Sequence, residues 1–364
     1  MIAAQVTAAT EVAIAALRAD LTKAHGEQTA HPLAILIDPT LGNPLDLSGP
    51  SVQSDETSSQ AKDLLIEAFL LCAHPPDFVQ LPIVHQNLPA ASRPFLLVIP
   101  DEARFERLVN ATLRLAVEEA LGLCDLDTGG SPRSICAWLT PPPATSQGGE
   151  VDVPQWTTRT AAHLARQALV LAPEGVAAVA GKCQLWRFWD PRGASRVWPV
   201  LSDKQRETLL GPVHSWFCIQ QTGTSLGALV ALKVAAQTGR DVFDPPTVLP
   251  PVALTATQWQ LCERVGPLHS ALRHSGEWPV VLSTAATPEL VDELLIRAQA
   301  HGVSGENDLL LFVHTALTVH PEFDGHPQVL AALRAKRVKD DLTSCFAKVP
   351  AALWQQIAAA GAKA

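Results

Sequence analysis

The sequence predicts an α/β (α+β) N-terminal lobe, with a central sheet flanked by helices, joined to an all-helical C-terminal lobe. Three observations carry this. From Pro32 to about Gln221, short apolar runs alternate with longer segments whose apolar residues recur every three to four positions, as when helices pack on a sheet. The stretch Asp244-Pro245-Pro246 to Pro250-Pro251 then breaks the chain with prolines. Beyond it helical spacing dominates, so the α/β lobe is assigned to residues 1–243 and the helical lobe to residues 252–364.

Each element follows from its residues. Met1 to Ala24 lacks a basic start followed by an apolar block and places Val6, Thr10, Ile14, Leu17 and Leu21 at helical spacing, which is an amphipathic helix and not a signal peptide. Strands are expected at Leu33–Asp38, Phe95–Ile99, Ile135–Leu139, Gln184–Trp189 and Val213–Ile219. Helices are expected at Ala61–Cys72, Glu102–Leu121, Thr157–Leu171 and Arg192–Leu210, which are rich in Leu, Ala and Arg. Pro141-Pro142-Pro143 through Pro154, with Gly148-Gly149, sustains neither helix nor central strand and reads as an exposed loop. In the second lobe Thr255–His274, Pro288–His301, Gly305–His320, Pro327–Lys336 and Pro350–Ala360 read as helices, with one apolar run at Val280–Leu282. Thr255, Thr287 and Ser304 are placed to cap, and Pro288 suits a first turn. The Ala-rich tail Ala358–Ala364 is expected to fray.

Composition excludes several classes of function. With 47% hydrophobic and 17% charged residues over 364 positions, the chain can bury a core in each of roughly two domains. A net charge of -9 and the lack of any basic cluster argue against a nucleic-acid partner, since phosphate binding draws on clustered Lys and Arg. The most apolar stretches, such as Ser225 to Ala236, fall well short of the ~20 residues that span a bilayer, so no membrane segment is expected. The seven cysteines are scattered and never paired as Cys-x-x-Cys, which fits a reducing cytoplasm.

The sharpest catalytic candidate is Gly223-Thr224-Ser225-Leu226-Gly227, which matches Gly-x-Ser-x-Gly between an expected strand and an expected helix. The alternative function is therefore a serine hydrolase using Ser225. Against it, Gln220-Gln221-Thr222 loosen the turn, and no His-Gly-Gly oxyanion segment lies upstream. The downstream histidines, His269, His274, His301, His314, His320 and His326, all fall in the helical lobe. A glycine-rich loop capping a Leu226–Ala236 helix is the plainer reading.

His314, His320, Asp324 and His326 carry metal-ligating groups, but a spacing of six puts His314 and His320 on different helix faces. Phe323-Asp324-Gly325-His326-Pro327 reads instead as a turn in which Asp324 or His326 caps the next helix. Nucleotide-binding glycine motifs are absent from the sequence, and the pairs Glu118-Glu119 and Asp340-Asp341 read as solvated faces. No catalytic, metal or cofactor set is assigned.

The most distinctive string is Leu185-Trp186-Arg187-Phe188-Trp189-Asp190-Pro191-Arg192. In a strand, Arg187 would share a face with Leu185 and Trp189, and a guanidinium buried there must be paired. Asp190 is one available partner, although it is equally placed to cap the helix that Pro191 starts; Asp38 is a second. The reading is structural, with a catalytic or partner-binding role as the alternative.

This string resembles the Arg-Phe-aromatic-Asp-Pro-Arg signature of the type VI secretion effector adaptor (chaperone) family. The resemblance extends to Leu36-Ile37-Asp38, Pro94-Phe95-Leu96, Leu210-Gly211-Pro212-Val213 with Trp216, and Phe323-Asp324 with His326-Pro327, in the right order over most of the chain. Tyrosine is absent, so aromatic positions often tyrosine in that family are Phe or Trp here, and the Pro141–Pro154 stretch looks like a local elaboration. The resemblance implies a cytoplasmic, non-catalytic adaptor of a Gram-negative bacterium, used in bacterial antagonism. Its implied partners are a cognate toxic effector and the VgrG spike protein, and it implies no cofactor. Trp138, Trp156, Trp259 and Trp278, next to loops or on helix faces, are candidate partner-binding residues, while most of the nine tryptophans are expected in the core.

Overall fold

The computed structural model describes residues 11–12, 14–15, 18–19, 33–41, 44–45, 65–69, 77–99, 102–120, 133–142, 151–174, 182–222, 225–232, 249–274, 278, 286–337 and 340–361. The chain divides into two compact units, Met1–Leu171 with Cys183–Ala253, and Ala172–Lys182 with Leu254–Ala364. The assignment of 172–182 to the second unit has no counterpart in the linear reading.

The first unit is built on a six-stranded sheet in the order β2-β3-β1-β4-β7-β8. Its strands are β1 (Leu33–Ile37), β2 (Phe78–Gln80), β3 (Phe95–Ile99), β4 (Ile135–Thr140), β7 (Ser215–Thr222) and β8 (Ser225–Leu232). A separate pair joins β5 (Leu169–Leu171) to β6 (Cys183–Leu185). Every pairing is antiparallel, which makes the unit α+β and not a parallel βαβ fold. All of β1 is buried, so both faces of the sheet centre are covered. One face, carrying Leu33, Ile35, Ile37, Leu97, Trp138 and Phe217, packs on the long helix α1 (Glu102–Ala120) and on Leu65 and Ala68 of the helical residues 65–69. Helix α2 (Val153–Gln167) lies against β2 and β3.

Within the N-terminal stretch, residues 11–12, 14–15 and 18–19 are helical, with Ile14 buried in that core and Glu11 paired with Arg114. Helix α2 starts four residues earlier than its apolar spacing indicates, because Asp152 accepts from Gln155 N at 3.0 Å and Pro154 sits in the first turn. The helix also stops earlier, and Leu169–Leu171 pairs with β6. The expected Arg192–Leu210 helix is interrupted: Pro199 lies in a 3₁₀ turn, Trp198–Val200, between α3 (Pro191–Val197) and α4 (Asp203–Leu210). Helix α4 opens with a capping box between Ser202 and Gln205. The end of the proline-rich break is anchored: Gln167 donates to Pro250 O at 3.1 Å and accepts from Val252 N at 2.8 Å.

The second unit is helical: α5 (Ala256–His274), α6 (Pro288–Ala300), α7 (Glu306–Thr318), α8 (Pro327–Arg334), α9 (Leu342–Phe346) and α10 (Ala351–Gly361). Its core joins Leu268, Leu294, Leu295, Phe312, Phe323 and Leu353, with Phe312 and Phe323 ring centroids 4.9 Å apart. Thr255 and Thr287 accept from Gln258 N and Leu290 N as helix starts. The cap of α7 is Gly305, at φ 90, and not Ser304. Short α9, capped by Asp341, has too few turns to show a period in sequence. The apolar run Val280–Leu282 lies outside the described residues.

Candidate functional site

The Arg187–Arg192 string is not a strand. Strand β6 ends at Leu185, Trp186 N donates to Ala168 O at 2.8 Å, and Asp190 N donates to Arg187 O at 3.1 Å, closing a turn. The turn swings the Arg187 guanidinium onto Asp38, which lies just after β1 and whose side chain is fully buried. Asp38 Oδ2 accepts from Arg187 Nε at 3.0 Å and from Trp189 Nε1 at 2.6 Å, and lies 2.8 Å from Arg187 Nη2. Its Oδ1 accepts from Thr40 N at 2.9 Å and from the Thr40 hydroxyl. Both oxygens of this buried carboxylate are thereby hydrogen-bonded, as buried polar groups in a fold are. Cys136 lies within the same electrostatic neighbourhood, and burial, followed by the Asp38 and Asp190 charges, pushes its thiol pKa well up, which makes it a poor nucleophile.

Of the two acidic partners open to Arg187 in the sequence, Asp38 is the one used. Asp190 instead caps α3 and grips Arg192: it accepts from Arg192 N at 3.0 Å, from Nε at 2.9 Å and from Nη2 at 2.6 Å. Burial alone would raise the Asp190 pKa, yet the Arg192 charge and hydrogen bonds, with Arg187 behind them, hold it down to about 2. A carboxylate whose folded pKa lies below its usual 3.8 contributes stability that is present above that value and lost as pH falls toward 2. Asp190→Asn is therefore expected to cost about 2 kcal/mol at pH 6 and much less near pH 2. Urea titrations between pH 2 and 6 on both proteins check this, through the gap between the two stability curves.

The aromatic members of the string pack together and onto β7. Phe188 centres 5.5 Å from Trp186, 5.2 Å from Trp189 and 5.8 Å from Trp216. After α4, Gly211 adopts φ 52, and a Cβ there would lie 2.3 Å from His163 Nε2. The His163 Nε2 is 3.1 Å from Leu209 O, and since a carbonyl only accepts, Nε2 carries the proton. Pro212 O accepts from Trp156 Nε1 at 3.0 Å. Gly211, Pro212 and Trp216 thus tie β7 to α2 and to the aromatic cluster.

In the second unit Phe323 is fully buried, and Asp324 binds Arg297 and, at 2.9 Å, His301 Nε2. Of the two cap candidates, His326 is the one that caps α8, with Pro327 at its first turn. His320 accepts from Glu322 N, and His314 lies edge-on to Trp278 at 4.8 Å. These four metal-ligating side chains have separate tasks, and among the described residues no three His, Cys, Asp or Glu converge to hold an ion.

Ser225 begins β8, paired with Thr222 across a hairpin. The expected helix after it is a strand as far as Leu232, because the uncharged Leu226–Leu232 run pairs along β7 (Cys218 with Val230, Ile219 with Leu229), and that pairing overrides helix propensity. Gly223, Thr224 and residues 233–236 lie outside the described residues. Ser225 therefore opens a hairpin strand, where a nucleophile elbow would place its serine between a strand and a helix.

Three of the four candidate partner-binding tryptophans are packing residues. Trp138 is fully buried in β4 and donates to Thr112 Oγ1 at 3.1 Å; Trp156 and Trp259 are 6% and 8% exposed. Trp278 is half-buried against the helical core. Glu119, read as solvated, is buried: it accepts from Ser134 N at 2.9 Å and from the Ser134 hydroxyl, and burial raises its pKa. Neighbouring helix positions carry no sequence signal for which of Glu118 and Glu119 turns inward. His163 beneath Gly211 escaped sequence reasoning, and Trp216 stands out only within the resemblance; the environments of both arise from contacts distant in the chain.

No protein-family model, no curated protein and no solved structure matches this chain. Among the described residues no helix is long and apolar enough to cross a membrane.

Proposed function

We propose that this chain is a cytoplasmic, non-catalytic adaptor of type VI secretion that binds a cognate toxic effector and loads it onto the VgrG spike. The observation that carries the reading is the Arg187-Phe188-Trp189-Asp190-Pro191-Arg192 string, followed in order by Gly211-Pro212 and Trp216. Its charged members are engaged inside the fold, Arg187 with Asp38 and Arg192 with Asp190, so the string acts as a scaffold and offers no poised acid or nucleophile. A scaffold role suits an adaptor, whose work is done by surface.

The test is co-expression of the tagged chain with the products of its flanking genes, followed by pull-down and size-exclusion chromatography. Stable co-elution with a toxin or a spike protein is expected. Failure to co-elute with any well-folded neighbour, or fluorophosphonate labelling that disappears in Ser225→Ala, overturns the reading in favour of hydrolase chemistry.

A further inference from the structure

We draw no further inference here: the strongest candidate, the uncharged outer edge of β8 at the end of the six-stranded sheet, has no strand paired along it among the described residues, and nothing in the structure shows what covers it.

Discussion

Arg187→Ala is expected to destabilise the first unit by about 3–5 kcal/mol, the usual cost of removing one partner from a buried ion pair. The cost arises at Asp38. Its side chain is fully buried, and after the truncation it keeps, among the described residues, Trp189 Nε1 and the two Thr40 donors, with no countercharge in direct contact there. Arg187 itself is 27% exposed, so the loss belongs to the stranded carboxylate more than to the desolvated cation. Arg187→Lys keeps the charge but lacks the fork that places Nε and Nη2 together on Oδ2, and an intermediate loss is expected. Asp38→Asn in the Arg187→Ala background removes the unpaired charge and should restore part of the stability, a coupling that a double-mutant cycle in urea measures. An Arg187→Ala protein that melts like the parent yet loses a partner recovered by the co-expression pull-down would instead make Arg187 an interface residue.

The second large effect is expected at Gly211→Ala. The backbone there has φ 52 and ψ -113, outside the regions open to residues with a Cβ. Left-handed backbone costs a non-glycine residue roughly 1–2 kcal/mol. The new methyl would in addition stand 2.3 Å from His163 Nε2, well inside contact distance. His163 is 8% exposed and bonded to Leu209 O, so it must break that bond and push into packed surroundings to make room. Overpacking of this kind costs about 1–3 kcal/mol, and the sum is about 2–5 kcal/mol. The two parts can be separated. His163→Ala removes the obstruction but not the backbone strain, so adding Gly211→Ala to a His163→Ala protein should cost only the strain part. Equal costs in both backgrounds would show that the ring does not set the penalty.

Both predictions rest on residues that stand out in the sequence, although neither environment can be read from it. Arg187 carried two possible acidic partners in the sequence, Asp190 three residues away and Asp38 at the end of another expected strand, and the sequence left both open. The fold chose Asp38 because β1 ends beside the turn after β6, while Asp190 was already held by Arg192 and the start of α3. Gly211 showed only as a glycine before a proline; the need for it comes from His163 on α2.

What the sequence determined by itself is local. Apolar spacing located α1 and the five long helices of the second unit, since a helix must bury one face whatever its neighbours are. Short apolar runs located β1, β3 and β4. Thr287, Pro288 and Asp190 marked helix starts because a cap answers to donors within its own turn. The tertiary structure decided whatever depends on contacts made far along the chain. It turned Ser225–Leu232 into a strand through pairing with β7, sent Glu119 inward to Ser134, and buried Trp138 over Thr112. It also set the indole N–H of Trp216 where it meets no acceptor among the described residues. Periodicity reports which face of an element is apolar; what that face meets, and which polar group is left without a partner there, is settled only when distant segments come together.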